Sequence, residues 1–347
     1  MAELDRWLLE HLRCPRDRNR LQIDGRFLTC ADGHRYPVVL GVPVMLINED
    51  TATIDIGPVS LSEASKPHAE DDPFHLATLS LSDQERNGIA ALARQPGPID
   101  PVVAYLIAAT NGLMYRHLIG TLTRYPIPDL PMPEGSGRRL LDVGCSWGRW
   151  TIAAAAHGYD AVGIDPSLGA VLAARRVARQ LDRSVRYVVA DARRLPFADG
   201  SFDAVYSYSV LQHFSHPDAA RAIGEIGRVL VADGVAKVQL PTRYGIRCLY
   251  HQLRRGFRPA RGFEVRYWSW RQLRQAFAAA VGPATFQVDG YFGIGLQASD
   301  AAMMPPRLAT ILRVSEMMKR ISRVVTPLRR VADSVFVEAV RRSPAGQ

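Results

Sequence analysis

The sequence has few cysteines and no long apolar run. Its four cysteines, at positions 14, 30, 145 and 248 of 347 residues, are too few for a disulfide framework. No stretch approaches the ~18 uninterrupted apolar residues that a membrane-spanning helix needs. The first residues also lack the basic and apolar regions of a secretory signal. These absences predict a cytoplasmic protein with no transmembrane segment.

Acidic residues are fewer than basic ones. Asp and Glu number 34 against 43 Lys and Arg, which gives a net charge of +9. Such a surface favours anionic partners, namely phosphorylated metabolites, nucleic acid or anionic lipid. An arginine-rich composition with solvated helix faces explains the charge equally well, so charge alone does not establish nucleic-acid binding. The length predicts two or three units of roughly 100–200 residues.

A glycine-spaced turn follows the apolar run 140–143. A small-residue helix comes next, and a second apolar run then ends at Asp165. Strand, turn, helix and strand make the βαβ unit of a parallel sheet. The right-handed crossover of this unit brings Gly144 and Asp165 to the same carboxyl edge of the sheet, where ligands bind. The last glycine of a dinucleotide fingerprint is missing, because Arg149 stands in its place.

The turn reads D-x-G-x-S-x-G from Asp142 to Gly148. This pattern resembles motif I of the class I S-adenosylmethionine-dependent methyltransferases, [DE]-x-G-x-G-x-G, with Ser146 at the middle glycine. Two further passages, Asp191 to Val205 and Glu225 to Leu230, are similar to the family's D-A-x-x-L-P-F-x-D-x-S-F-D-x-V and E-x-x-R-V-L motifs. The resemblance covers about Arg138 to Leu240. It implies S-adenosylmethionine as cofactor.

Three carboxylates at the ends of successive strands agree with a cofactor that carries a sulfonium cation and no phosphate. A turn or helix-cap role is the alternative for any one of them. The resemblance implies that Asp165 takes the ribose hydroxyls and that Asp191 takes the adenine amino group. The cofactor-binding residues that it implies are Asp142, Gly144, Cys145, Gly148, Asp165, Pro166, Asp191, Ala192 and Ser207.

The alternation of strands and helices continues to about residue 300. The predicted fold is α/β and Rossmann-like: a mostly parallel seven-stranded sheet with helices on both faces, a small N-terminal β-rich ribbon and helical additions. The last strands are expected near Thr285 to Gly290 and Ile294 to Ala298. The predicted units are a zinc-ribbon-like domain (1–49), a linker and helical lid (50–135), the cofactor-binding domain (136–300) and a basic amphipathic helical tail (301–347).

The first 49 residues contain Cys14-x-x-Asp17 and Cys30-x-x-x-His34, the spacing of two metal knuckles. Two sulfurs, an oxygen and a nitrogen could hold a tetrahedral zinc. The segment is similar to the zinc-ribbon activator of tRNA and release-factor methyltransferases and to the ribbon of rRNA guanine methyltransferases, where the second ligand is normally cysteine. A metal-free β-rich fragment with packed cysteines is the alternative.

The linker from Asp50 to about Pro101 is predicted to contain one short helix. Ser82 and Glu85 form a capping box for a short helix ending near Ala93. Helices across 102–123 are expected to break at Asn111-Gly112. Tyr115 and His117 in this region are candidate substrate contacts, with core packing as the alternative.

Two basic tracts follow the fifth strand of the motif region. The first places seven arginines among aromatic residues between Arg243 and Tyr267 and suggests an anionic acceptor. The tail repeats apolar residues three and four apart beside basic ones, at Ile311, Val314, Met318, Ile321, Val325 and Leu328. This pattern predicts a helix packed on the domain or on a second subunit, as in a homodimer. Membrane-surface attachment is the alternative.

The motifs favour one class of acceptor. The [DN]-P-P-[FYW] motif, which this superfamily uses to methylate amide and adenine nitrogens, is missing, since Ser207 to Val210 occupy its place. C5-methylation of cytosine requires a nucleophilic cysteine after the same strand, and the sequence has none there. The sequence therefore predicts methylation of an oxygen, carbon or simple amine on a small-molecule, glycan-like or carrier-linked acceptor. An RNA methyltransferase and a non-catalytic partner protein are the alternatives. His213 is the candidate general base, with a packing role as its alternative.

Overall fold

The computed structural model describes residues 4–48, 56–95, 97–293 and 295–342. The strands are β1 Leu21–Asp24, β2 Phe27–Cys30, β3 Arg35–Val39, β4 Val42–Met45, β5 Arg139–Val143, β6 Asp160–Asp165, β7 Arg186–Ala190, β8 Phe202–Tyr208, β9 Leu230–Pro241, β10 Ala284–Gly290 and β11 Ser334–Val340. The helices are α1 Arg6–His11, α2 Ile56–Ser65, α3 Asp83–Leu92, α4 Pro101–Asn111, α5 Arg149–Ala156, α6 Leu168–Gln180, α7 His216–Val229, α8 Ile246–Arg254, α9 Trp270–Ala280, α10 Pro306–Ile321 and α11 Thr326–Arg330.

The main sheet has the strand order β7-β6-β5-β8-β9-β11-β10. Strands β5 to β9 run parallel to one another, and β11 is antiparallel to both of its neighbours. The central strands are apolar and buried on both faces, as helices on either side require. The predicted Rossmann-like α/β fold with a mostly parallel seven-stranded sheet is confirmed.

The N-terminal ribbon is an antiparallel meander, β1 to β4, that extends the main sheet. Its last strand pairs in parallel with β7, with Val44 opposite Val189 and Met45 opposite Ala190. Leu12 also forms a bridge with Phe197, and the ribbon's buried side chains share one apolar cluster with the main sheet. The ribbon is therefore packed against the main sheet along the edge formed by β7.

The linker and lid contain more helix than the sequence predicts. The helix with the Ser82–Glu85 capping box is confirmed as α3, and Gly112, with φ of 106°, ends α4 at the predicted break. The prediction of one helix between 50 and 101 is wrong, because α2 also forms there. It buries only Ser60 and Ala64, so it lacks the apolar periodicity that marks a helix in a sequence.

The C-terminal prediction is wrong in two places. Residues 295–297 form no strand, and Ile294 lies outside the described residues. The last strand is instead β11, inside the segment predicted to be a helical tail, and it lies between β9 and β10. Its pairing with strands about 50 and 100 residues earlier is what stabilises it, and short-range sequence patterns do not report such pairing.

The tail helix α10 forms, but most of its predicted apolar face is not packed on the domain. Ile311, Val314 and Ile321 are exposed, whereas Leu312 and Ser315 are buried. Among the residues that the structure describes, no helix is long and apolar enough to cross a membrane.

Candidate functional site

The glycine-spaced turn lies between β5 and α5, at the carboxyl edge of the sheet. The backbone N–H groups of Gly144 and Cys145 both donate to the Ile164 carbonyl, each at a distance of 2.8 Å, and these bonds hold the turn against β6. Gly144 and Gly148 have φ of 81° and 82°. A Cβ at Gly144 would lie 2.2 Å from the Val210 side chain, and one at Gly148 would lie 2.4 Å from the Tyr187 hydroxyl. Both positions therefore require glycine.

Ser146 occupies the middle glycine position with φ of 47°, an uncommon conformation for a residue with a Cβ. Its Oγ is buried and has no hydrogen-bond partner. Buried hydroxyls are nearly always hydrogen-bonded in folded proteins. A ligand in the turn would supply the missing partner.

Asp165 ends β6 beside this turn. Its carboxylate accepts hydrogen bonds from the backbone N–H groups of Ser146 and Ser167, each with a donor–acceptor distance of 3.0 Å. Burial raises the pKa of Asp165 to about 6. Two N–H donors leave lone pairs free on each oxygen, so the carboxylate can still accept from two hydroxyl groups of a ligand.

The lid segment packs directly on the residues that follow Asp165. Ser167 caps α6 and its hydroxyl donates to the Thr78 carbonyl over 2.9 Å, while Thr78 Oγ1 accepts from the Gly169 N–H over 2.8 Å. Ser60 of α2 accepts from the Leu168 N–H over 3.1 Å. These bonds place the segment 56–81 over the carboxyl end of β6, next to Pro166.

Three predicted cofactor residues are buried beneath the edge. Asp142 accepts from the Thr151 hydroxyl over 2.7 Å, and burial raises its pKa to about 7. Ser207 donates its hydroxyl to the Val143 carbonyl over 2.9 Å, which ties β8 to β5. Cys145 is buried as well, and burial raises the pKa of its thiol. Asp142 and Ser207 therefore use their polar atoms inside the protein.

Asp191 does not stand alone at the end of β7. Arg193, which is 7% exposed, donates Nε and Nη2 to its two carboxylate oxygens, with the shortest contact at 2.6 Å. A basic group therefore lies directly beside this predicted carboxylate. Ala192 lies buried between the two. The D-x-R spacing was visible in the sequence, but it does not tell which way an arginine side chain turns.

A polar network that the sequence did not reveal continues from the end of β8. The Tyr208 hydroxyl donates to Asp289 over 3.3 Å and accepts from Gln297 over 2.8 Å. Gln239 donates to the same Asp289 over 2.9 Å and accepts from Ser209. The members come from four distant segments, so only the folded chain brings them together.

A second buried network joins the turn to the lid and to the C-terminal part. Arg149 and Asp300 form an ion pair in which both side chains are almost fully buried. The Tyr115 hydroxyl donates to the same carboxylate and lies 3.4 Å from the Arg149 guanidinium. Tyr115 therefore has a role in the core. His117 contacts two backbone carbonyls, those of Met114 and Met303, each at 3.0 Å.

His213 ends a short 3-10 helix, Leu211–His213, after β8. Its ring stacks on Phe263 at 3.6 Å, and its Nδ1 lies 2.9 Å from the Phe263 carbonyl. Burial, with the charge of Arg266 as a smaller cause, lowers the pKa of His213 to about 4. The ring is therefore neutral at pH 7. If Nδ1 carries the proton, Nε2 is the atom that could accept one.

The four predicted zinc ligands meet in the ribbon. Their ligand atoms lie within 4.8 Å of one another. His34 Nδ1 is 2.9 Å from Asp17 Oδ2, 3.4 Å from Cys30 Sγ and 3.5 Å from Cys14 Sγ. Neighbouring ligands of a tetrahedral zinc are about 3.3–3.8 Å apart, given bond lengths of about 2.0–2.3 Å. The Tyr36 hydroxyl, 3.1 Å from Cys14 Sγ, can donate to that sulfur.

An arginine-rich cavity lies between the ribbon and the carboxyl end of β7. Its volume is about 310 Å³. Five arginines and one acid contribute to its wall, which is lined by Pro15, Arg16, Arg18, Arg193, Arg194, Leu195, Arg221 and Glu225. Arg18 and Glu225 form an ion pair across it at 3.1 Å. Arg193 and Arg221 also pair with Asp218, at 3.7 and 3.5 Å, so part of the positive charge of this wall is neutralised within the protein.

Comparison with known proteins identifies one part of the chain. Residues 140–234 match the family described as "Methyltransferase domain". The demethylmenaquinone methyltransferase of Renibacterium salmoninarum is 35% identical over 117 residues, 33% of this chain and 47% of that protein. The ubiquinone biosynthesis O-methyltransferase of Alkalilimnicola ehrlichii is 35% identical over 99 residues, 28% of this chain and 39% of that protein.

Among solved structures, one chain from the complex of the Haloferax volcanii Trm112 methyltransferase activator with a methyltransferase is 18% identical to this chain. The match covers 76% of this chain and 99% of the other, with a TM-score of 0.45. The chain aligns with about half or less of the length of the two curated relatives. The residues that match the family run from β5 into β9 and contain the glycine-spaced turn, Asp165 and Asp191. This part of the chain is similar to a methyltransferase domain.

Proposed function

We propose that this chain is an S-adenosylmethionine-dependent methyltransferase of the cytoplasm. The observation that carries the proposal is the matched methyltransferase domain, whose glycine turn and Asp165 lie side by side at the carboxyl edge of the sheet. The fit of the cofactor is supported by three features of this edge. Gly144 and Gly148 let the chain make the tight turn against Val210 and Tyr187, Ser146 Oγ lacks a partner in the described structure, and Asp165 keeps free lone pairs.

The acceptor that we propose is an oxygen, carbon or simple amine of a small or carrier-linked molecule. The curated relatives support this class, because they include a demethylmenaquinone methyltransferase and a ubiquinone biosynthesis O-methyltransferase. The polar network of Tyr208, Gln239, Asp289 and Gln297 follows β8 and β9 at the same edge. Its hydroxyl and amide groups can orient a polar acceptor beside the cofactor.

The bound cofactor supplies an electrophilic methyl group on a sulfonium. The glycine turn and Asp165 would hold the cofactor at this edge, and its sulfur would keep the electron pair of the bond to the methyl group that it would supply to the acceptor atom. An acceptor hydroxyl must also lose its proton, and His213 Nε2 is the atom that we assign to take it. Because the pKa of His213 is lowered to about 4, the imidazole is a weak base, and the positioning of the two reactants must supply much of the acceleration.

Cofactor binding tests the proposal through Asp165. Asp165→Ala removes the carboxylate that the ribose hydroxyls would use, and we expect a loss of roughly 2–3 kcal/mol in S-adenosylmethionine affinity by calorimetry. With a pKa raised to about 6, the wild-type carboxylate becomes protonated below pH 6, so wild-type affinity should fall there. Wild-type affinity in the folded variant would remove the assignment. No cofactor binding by the wild type would favour a non-catalytic partner protein.

We propose zinc as a structural ion of the ribbon, held by Cys14, Asp17, Cys30 and His34. The interatomic distances and the buried sulfurs support this set. Zinc would link the knuckle before β1 to the knuckle between β2 and β3. Such a link stabilises a small β unit whose own core is limited.

An RNA acceptor is the second candidate, and the arginine-lined cavity is the observation that favours it. The cavity lies where the ribbon meets Arg193, which contacts the carboxylate of Asp191. RNA held there would be bound through its phosphates, so its affinity should fall steeply with salt. Filter binding of tRNA and rRNA fragments at two salt concentrations tests this candidate, and no binding at low salt would remove it.

A further inference from the structure

Two segments of the chain present apolar side chains to solvent. We define the basic apolar face as residues 243–263, which contain α8, and residues 306–331, which contain α10 and α11. Of the seventeen large hydrophobic residues that are exposed in the described part of the chain, fourteen belong to this face. They are Tyr244, Ile246, Leu249, Tyr250, Leu253, Phe257, Phe263, Ile311, Val314, Met317, Ile321, Val324, Val325 and Val331.

Helix α8 is inverted relative to an ordinary surface helix. Ile246, Leu249, Tyr250 and Leu253 are spaced so that they form one stripe, and each is between 45% and 64% exposed. The opposite side buries Gln252, whose amide donates to the carbonyls of Arg243 and Cys248. A helix that leaves an apolar stripe facing outward has a second apolar surface to meet.

The charge of the whole protein is concentrated on the same face. Residues 243–263 contain six arginines and no acid, and residues 306–331 contain six arginines, one lysine and one glutamate. The face therefore carries +12, while the chain carries +9 and its remainder sums to −3. The partner must offer an apolar layer next to dense negative charge.

The two segments meet at the edge of the sheet that carries the site. Pro241, the last residue of β9, pairs with Ser334, the first of β11. The Ile246 N–H then donates to the Val331 carbonyl over 3.2 Å, which joins the start of α8 to the end of α11. Phe263 of the face stacks on His213. The face and the candidate acceptor site are thus continuous.

We propose that the basic apolar face binds the surface of an anionic lipid bilayer. Apolar side chains would enter the boundary between headgroups and acyl chains, and the arginines would contact lipid phosphates. A second copy of the chain would bring +12 against +12 if the same faces met. Nucleic acid would pair with the arginines but would leave the apolar stripes in water. This surface goes beyond the proposed function and does not depend on methyl transfer.

Vesicle co-sedimentation of the full chain tests the proposal. We expect the protein to sediment with phosphatidylcholine vesicles that contain about a third phosphatidylglycerol, and to sediment at least ~10-fold less with phosphatidylcholine alone. About 0.5 M NaCl should release much of it. The variant L249E/L253E should bind ~10-fold or more weakly, whereas Ile23→Glu, an exposed apolar residue outside the face, should bind like the wild type.

A second variant, R320E/R323E, reduces the charge of α10 and the turn after it and leaves the apolar stripe intact, so it should also weaken binding to anionic vesicles. Cofactor affinity measured on each variant reports the fold and the proposed function independently of the vesicles. A wild type that remains in the supernatant with anionic vesicles overturns the proposal. So does a wild-type dimer in sedimentation equilibrium that L249E/L253E dissociates, because a second copy would then cover the face.

Discussion

His213 is the residue to which we assign proton transfer, and its surroundings determine what can be measured. His213→Ala should lower turnover by ~10²–10⁴-fold and leave cofactor affinity nearly unchanged, because the ring contacts Phe263 and Gln212 rather than the glycine turn. His68→Ala is the matched control, since that side chain is 87% exposed and its Nδ1 lies 3.6 Å from Asp71 Oδ2. Single-turnover kinetics and calorimetry separate the two effects.

The lowered pKa of His213 adds a pH signature. With a pKa of about 4, the imidazole is neutral throughout pH 5–8, so the loss caused by His213→Ala should be the same across that range. If the loss of turnover caused by His213→Ala disappeared near pH 6.5, the functional imidazole would have the pKa of an exposed histidine. Equal losses of cofactor affinity and turnover would assign His213 to packing.

At the residue scale the sequence predicted positions better than contacts. The glycine turn and Asp165 lie at one edge as expected, since strand order and the crossover rule determine where strand ends meet. The Asp191–Arg193 ion pair and the buried Ser146 hydroxyl were not predicted. Both depend on the side-chain directions in a fold that a linear pattern does not give.

The helices and strands show the same difference: a helix with a local signal was predicted, and a strand that depends on distant partners was not. The helix α3 begins at the predicted capping box of Ser82 and Glu85, because that signal lies within four residues. The strand β11 was not predicted, because its partners β9 and β10 lie far away in the sequence. The ribbon is intermediate, since spacing predicted that Cys14, Asp17, Cys30 and His34 come together, whereas its pairing with β7 was not predicted.

The ribbon's metal can be tested at the scale of this unit. We expect about one zinc ion per chain in protein purified without chelator, measured by elemental analysis, and its loss in Cys30→Ser. The variant should also expose the meander to limited proteolysis, while β5 to β9 stay protected. Cys248→Ser is a matched control, because Cys248 is a buried cysteine outside the ribbon. A zinc-free wild type with a protected ribbon would show that the cluster is stable through its hydrogen bonds alone.

At the scale of the whole molecule, the Arg149–Asp300–Tyr115 network joins three regions. Tyr115 comes from the lid, Arg149 begins α5 directly after the glycine turn, and Asp300 precedes α10. All three side chains are buried. The arrangement fixes the lid and the start of the C-terminal helices against the candidate cofactor site, so stability and cofactor binding should depend on the same contact.

Asp300→Ala leaves the Arg149 guanidinium buried without its carboxylate, and we expect the free energy of unfolding to fall by about 3–5 kcal/mol in urea titrations. Replacing both charges with apolar side chains in R149M/D300L should recover much of that loss, because no uncompensated charge remains. Glu10→Ala, which breaks the exposed Arg6–Glu10 pair at 2.9 Å, should cost at most about 1 kcal/mol. If Asp300→Ala were no more destabilising than Glu10→Ala, the network would not be what joins the lid to the turn.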